Sequence, residues 1–148
     1  MTTVCAKANI YIKDAMLGLE STPTLPLNAV LSDVFNQMDK HKLGVVCLVK
    51  DNDELAGILT DGDIRRLFTK VQKPLAALMN DDAIKHANLS AKTIEYDATI
   101  EEAITIMGNA SIWDLPVMNG TKLVGLLHLH PAIKAVLATI DEVSVGKH

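Results

Sequence analysis

Thr60, Asp61, Gly62 and Asp63 stand between an apolar run and two arginines, Arg65 and Arg66, in the stretch GILTDGDIRR from Gly57 to Arg66. A hydroxyl, two carboxylates, a glycine and two guanidinium groups in one short stretch can hold a phosphorylated ligand. Amides at a helix N-terminus attract anions such as phosphate. An N-cap hydroxyl adds a phosphate or ribose contact, and a carboxylate one turn in accepts two hydrogen bonds from a ribose diol. Guanidinium groups supply charge for phosphates or a sugar carboxylate. The same residues also have a purely structural account. Thr60 with Asp63 three residues on approximates a capping box. Acids in a first turn suit the helix dipole, and Gly62 permits close backbone approach. A solvated helix face accounts for the arginines. As a Mg²⁺ site, Asp61 and Asp63 lack a nearby His or Glu partner.

Either account needs a strand that ends at Thr60 and a helix that starts beside it. The sequence supplies that frame twice. Thr24-Leu25-Pro26-Leu27-Asn28-Ala29 aligns with Thr93-Ile94-Glu95-Tyr96-Asp97-Ala98 at an offset of 69, and Met38 falls on Met107. With one residue deleted from the second copy, Glu54-Leu55-Ala56-Gly57-Ile58-Leu59 falls on Lys122-Leu123-Val124-Gly125-Leu126-Leu127. The lead-ins, Lys13-Asp14-Ala15-Met16 and Ala76-Ala77-Leu78-Met79, agree in type.

Each copy predicts the order β-α-β-β-α. An extended piece comes first, near Thr24 to Leu27 or Lys92 to Glu95. An amphipathic helix follows, with Leu31, Val34, Phe35 and Met38, or Ile100, Ala103, Ile104 and Met107, on one face. Asn28 and Asp97 are the expected N-caps. Two strands flank a polar turn: Val45 to Val49 and Leu55 to Thr60, then Asp114 to Met118 and Leu123 to His128. A helix closes each copy, from Ile64 to about Lys70 and from Ala132 to about Ala138. The expected fold class is α+β, two β-α-β-β-α motifs packed with pseudo-twofold symmetry, because a unit of roughly 60 residues struggles to bury a core alone. The expected motifs are 12–70 and 74–138, with tails 1–11 and 139–148.

The second copy departs at the junction. Thr60 maps to His128, Gly62 to His130 and Asp63 to Pro131. His128 and His130 could serve phosphate or sugar, but two ligands alone are not a zinc site. Trp113 stands opposite Gly44. It could stack on a base, although a lone Trp more often packs or anchors an interface.

Composition narrows the choices. The chain has 148 residues, 49% apolar, with 22% charged residues and a formal net charge of −4. That balance gives no reason to expect a nucleic-acid groove or a basic membrane face. With 3% aromatic residues, base-stacking platforms are hard to build. Cys47 lies in an apolar run, where a buried thiol is the default, and a bridge to Cys5 is the one disulfide available. No signal-peptide core and no membrane-length apolar run is present, so a cytoplasmic location is expected.

The repeat resembles a tandem pair of cystathionine-β-synthase (CBS) domains over nearly the whole chain. The resemblance is carried by Asp14-Ala15-Met16, the turn-bounded hairpin and the run Gly57 to Asp63. GILTDGDIRR and GLLHLH (Gly125 to His130) are similar to the CBS pair of arabinose-5-phosphate isomerases, the sugar-phosphate isomerases of the Kdo branch of lipopolysaccharide synthesis. The resemblance implies a regulatory module that binds a nucleotide or nucleotide-activated sugar such as AMP, ATP, CMP or CMP-Kdo and requires no cofactor. It implies a site at Thr22, Pro23, Gly44, Val45, Thr60, Asp61, Gly62, Asp63, Arg65 and Arg66. Thr60 would contact phosphate or ribose, and Asp63 would hold the ribose hydroxyls. A second, weaker site would use Lys92, His128 and His130. That family usually shows His-x-His-Asp at the second junction. This chain has His-Leu-His-Pro, so the ribose carboxylate is absent there.

The resemblance also implies a homodimer through the CBS helices and an attached or partner sugar-isomerase domain. Met1 to Tyr11 cannot supply that domain, so no catalytic residues are expected, and neither the Asp61–Asp63 pair nor the His128–His130 pair is expected to hold a metal. The competing readings are an assembly module without a small-molecule ligand and an enzyme in its own right. The second lacks a nucleophile–base arrangement.

Overall fold

The computed structural model describes residues 10–146, with side chains through residue 138. In chain order the elements are β1 (Leu17–Gly18), β2 (Thr24–Pro26), α1 (Leu31–His41), β3 (Val45–Val49), β4 (Leu55–Thr60), α2 (Asp61–Lys70), α3 (Leu75–Met79), β5 (Ile94–Glu95), α4 (Ile100–Ala110), β6 (Asp114–Asn119), β7 (Lys122–His128) and α5 (Leu129–Gly146). Short 3₁₀ turns lie at Ile12–Asp14, Leu19–Ser21 and Ala83–His86. The architecture is mixed α+β, with each repeat in the expected β-α-β-β-α order.

The elements form two compact units. One comprises Glu20–Ala91 with Thr121–Leu123, and the other comprises Met1–Leu19, Lys92–Gly120 and Val124–His148. Each unit thus joins one repeat to the lead-in that precedes the other repeat.

In the first-repeat unit the sheet order is β2-β3-β4, with β2 parallel and β4 antiparallel to β3. β3 reads Val-Val-Cys-Leu-Val, a β-branched apolar run that suits a central strand covered on both faces. Val45 through Leu48 are fully buried. The stripe of α1 brings Leu31 and Val34 onto this sheet, α2 adds Ile64, and the lead-in adds Leu78 and Ala83. Cys47 is buried in β3, while Cys5 lies outside the described residues.

In the second-repeat unit the order is β1-β7-β6-β5. β5 runs parallel to β6, and β1 runs antiparallel to β7 with Leu17 opposite Leu126 and Gly18 opposite Gly125. Its core gathers Ile12, Ile94, Ile100, Ala103, Met107, Leu115, Val117, Leu127 and Ala132. Ile104 packs against this core without being fully buried.

The caps differ from expectation. The N-cap of α1 is Val30 rather than Asn28, and that of α4 is Thr99 rather than Asp97. The lead-ins are the reason. Val30 bridges Asp82, and the Leu31 N–H donates to the Asp81 carbonyl at 3.0 Å. Tyr11 bridges Thr99, and the Ile100 N–H donates to the Ile10 carbonyl at 2.7 Å. Each chain therefore stays extended two residues longer, and edge pairing satisfies a helical amide that a side chain would otherwise cap. The Thr99 hydroxyl still accepts from the Glu102 N–H at 3.2 Å. The closing helices also start earlier than expected, at Asp61 and Leu129, because each follows its strand with no loop between.

The repeat extends to backbone conformation. α1 and α4 end on left-handed residues at equivalent positions, Lys42 (φ 56°) and Ser111 (φ 55°). A side chain in that region is strained, and glycine is not. Lys42→Gly and Ser111→Gly are each expected to raise stability by about 0.5 kcal/mol, after the opposing gain in unfolded-state entropy. Chemical denaturation read by circular dichroism checks this.

One ion-pair cluster ties the lead-in of the first-repeat unit. Lys73 Nζ lies 3.1 and 3.0 Å from the two carboxylate oxygens of Asp81, and His86 Nε2 lies 3.1 Å from one of them. The hydrogen bond from Lys73, and then that from His86, hold the Asp81 carboxyl below its ordinary value. A depressed carboxyl contributes stability above its unfolded pKa, near 3.9, and loses it as pH falls through the folded value. Asp81→Asn is therefore expected to lower the Tm at neutral pH, with the gap to wild type closing as the wild-type carboxyl protonates. Melting curves from pH 7 down to pH ~2 follow the gap as it closes.

Candidate functional site

β4 runs straight into α2. The Asp61 N–H donates to the Gly44 carbonyl at 2.9 Å, one step beyond the Val45–Thr60 pair that ends the β3–β4 ladder. Thr60 is extended (φ −110°, ψ 164°) and is the N-cap. Its Oγ1 accepts from the Asp63 N–H at 3.1 Å, and Asp63 Oδ2 accepts from the Thr60 N–H at 3.0 Å. The capping box read from sequence is therefore present, with Asp in place of the usual Glu.

The remaining groups are arranged around it. The other carboxylate oxygen of Asp63 accepts from Arg66 Nη2 at 2.6 Å. The Asp63 side chain keeps 25% of its surface and Arg66 keeps 56%, so this pair is open to solvent and easily exchanged. Arg65 is exposed and makes no ion pair among the described residues. Asp61 Oδ1 accepts from the Gly62 N–H at 2.8 Å. A Cβ placed on Gly44 would lie 2.8 Å from Asp61 Oδ2, so the glycine makes room for that carboxylate. Thr22 is buried just ahead of β2, and the Pro23 carbonyl accepts from the Cys47 N–H at 2.9 Å. Val45 is fully buried, which leaves its side chain to the core.

The second junction is closed by an equivalent backbone bond and carries different chemistry. The Leu129 N–H donates to the Trp113 carbonyl at 2.8 Å, the counterpart of the Asp61–Gly44 bond. His128 Nδ1 lies 2.6 Å from Asp114 Oδ1. His130 and Lys92 are exposed. Pro131 is the third residue of α5, where its missing N–H would have no intrahelical acceptor. Trp113 is 68% exposed and borders an apolar cavity of about 310 Å³ with Ile104, Met107, Ile112 and Leu129.

Sequence reading did not single out Asp114. The signal was available, because Asp114 occupies the position of apolar Val45 in the first repeat. Among the described residues, no group of three or more His, Cys, Asp or Glu is placed to hold a metal ion. No helix of the described residues is long and apolar enough to cross a membrane.

Two β-α-β-β-α motifs in tandem, each passing directly from a hairpin strand into a helix whose start is lined with polar groups, define a paired-motif binding module. The chain belongs to the CBS domain family, which matches residues 12–70 and 75–136. It is 27% identical to arabinose 5-phosphate isomerase KdsD of Escherichia coli over 133 residues, 87% of this chain and 38% of that protein. It is 31% identical to an uncharacterized protein of Helicobacter pylori over 131 residues, 86% of this chain and 38% of that one. The chain thus spans about two fifths of the length of these relatives. Among solved structures it is similar to CBSX2 in complex with AMP (TM-score 0.75, 19% identity, 86% of this chain and 96% of that one). It is also similar to a putative acetoin utilization protein, AcuB, of Vibrio cholerae (TM-score 0.75, 19% identity, 89% and 93%). Those likenesses concern the fold.

Proposed function

We propose that this CBS pair is a regulatory module, with halves 12–70 and 74–138, that binds a nucleotide or nucleotide-activated sugar of the AMP, ATP, CMP or CMP-Kdo kind. The ligand site is the first junction: Thr60 and Asp63 with the Gly44 backbone, Thr22 and Pro23 beside them, and one or both of Arg65 and Arg66 toward phosphate. Bound ligand shifts the conformation of an attached or partner sugar-phosphate isomerase of the arabinose-5-phosphate type. The module does no chemistry itself. In this reading it works in the cytoplasm, away from membrane and nucleic acid.

The observation that carries the reading is the state of Asp63. Its two oxygens each make one hydrogen bond, and a carboxylate offers about four acceptor positions. A ribose diol can take the remaining positions without dismantling the cap. Arg66 is already drawn to the site and can turn toward phosphate. Support for the isomerase comes from the KdsD relative, and support for an adenine nucleotide comes from the AMP complex of CBSX2.

A thermal-shift panel of AMP, ATP, CMP, CMP-Kdo and sugar phosphates tests the proposal. A ligand that binds only the folded state raises the Tm, by an amount equivalent to about 2.7 kcal/mol at a hundred times Kd. No movement with any compound sinks the nucleotide reading.

An assembly role has its own observation. Leu129, Ile133 and Leu137 follow one another at helical spacing along α5, and Ile133 and Leu137 keep 43% and 54% of their surface. Together with Trp113 they form an apolar stripe suited to a second copy of the chain. Light scattering after size exclusion is expected to give a dimer, and Ile133→Asp with Leu137→Asp a monomer.

A further inference from the structure

The second junction has not merely lost the first junction's residues. Its side chains are exchanged in pairs around an equivalent backbone hydrogen bond. In the first repeat, Val45 stands opposite Thr60 in the ladder, and Gly44 receives the Asp61 amide. In the second repeat the corresponding pairs are Asp114 with His128 and Trp113 with Leu129. The Gly–Asp pair has become wholly apolar, and the Val–Thr pair has become a carboxylate and an imidazole.

The fold does not require this ion pair, because the first repeat closes the same strand ends with Val45 and Thr60. Placing it there is costly. The Asp114 side chain retains only 10% of its surface, and a carboxylate so withdrawn from water needs a firm donor. His128 Nδ1 lies 2.6 Å away, and because an ionised carboxylate only accepts, the ring donates Nδ1–H to it. The bond fixes both the proton on Nδ1 and the plane of the ring. His128 retains 31% of its surface, and its Nε2 makes no hydrogen bond among the described residues.

We infer that the second junction is an oxyanion subsite in which Asp114 is the positioning residue: it holds His128 Nδ1–H and so aims Nε2 at the site, where, on taking up a proton, it donates Nε2–H to a phosphoryl or carboxylate oxygen. This rests on the reading that strand-to-helix junctions hold ligand in this chain. The two junctions then select different chemistry. The first offers a carboxylate to a ribose diol. The second offers a fixed N–H to an anion and has Pro131 where the diol acceptor stands.

The test uses the full chain and inorganic phosphate as the probe, followed through the imidazole nitrogens of His128 by ¹⁵N NMR. Wild-type protein is expected to show a protonated Nδ1 and a saturable change at Nε2 on adding phosphate. Asp114→Val, which installs the first repeat's own residue, is expected to lose the Nδ1–H signature. It should also weaken phosphate binding about tenfold, as loss of one charge-assisted hydrogen bond predicts. Asp114→Asn, which keeps an acceptor for Nδ1–H, is expected to fall between. Phosphate that leaves wild-type His128 unmoved, or that binds Asp114→Val equally well, overturns the inference, and the first of these needs no variant. AMP added to the same samples separates the two readings through the amides of residues 60–63. If AMP shifts those amides and phosphate leaves His128 unmoved, this inference falls alone. If phosphate perturbs His128 and no nucleotide shifts residues 60–63, the nucleotide reading falls alone.

Discussion

Gly125→Ala is expected to be strongly destabilising. β1 crosses so close to Gly125 that a Cβ there would collide with the Leu17 carbonyl and crowd Met16. Neither the strand backbone nor the core behind it can retreat without breaking the Gly18–Gly125 pairing. Overpacking of this kind costs about 3 kcal/mol, or roughly 10 °C in Tm for a chain of this size. Two other glycines provide the scale. Gly57, its repeat counterpart, would press a Cβ against Leu89 Cδ2 at 2.9 Å and the Asn88 carbonyl at 3.1 Å. The leucine tip can swing aside, so Gly57→Ala is expected to cost less. Gly108 lies within α4 with nothing near its Cβ position, so Gly108→Ala should stabilise by about 0.7 kcal/mol. Thermal melts of the three variants check the order; equal Tm values for Gly125→Ala and Gly108→Ala would refute the edge-strand argument.

Asp63→Ala is expected to abolish nucleotide binding at the first junction, and its companion Thr60→Ala makes the result interpretable. Each variant removes one half of the capping box, so each is expected to cost about 1 kcal/mol of stability. Their effects on ligand should differ. Thr60→Ala leaves the carboxylate and its unused acceptor positions in place. Asp63→Ala removes the only acceptor proposed for the ribose diol and releases Arg66 as well. The ligand-induced rise in Tm should therefore vanish in Asp63→Ala and persist, reduced, in Thr60→Ala. Equal rises in the two variants would leave Asp63 with a capping role only.

Much of the fold was legible because its signals are local. β3 and β4 coincide with their apolar runs, since the polar turn between them and the Thr60 cap at the end of β4 set their length. The cap at Thr60 was legible for the same reason, because donor and acceptor lie three residues apart. The caps at Val30 and Thr99 were not, because the groups that hold those helix starts come from remote segments at Asp81 to Ala83 and Ile10 to Ile12. Asp114 was missed by treating it as one more strand residue. Its meaning depends on His128, its partner across the hairpin. Local periodicity says where an element lies, and it is silent about which distant residue completes it.

The trading of lead-ins bears on how the chain comes to be folded. β1 is made early, yet its partner strand emerges about a hundred residues later. The segment at Asn88 that exchanges hydrogen bonds with Ile58 is likewise made only after the first repeat is otherwise complete. Contacts so distant along the chain slow folding, and until they form they leave strand edges open to wrong partners. A nascent chain halted after Lys70 would carry a bare β4 edge and an orphaned β1. Each repeat is therefore completed by the lead-in of the other. A ligand that tightens one junction stabilises a unit whose last strand or bridge is supplied by the other half of the sequence.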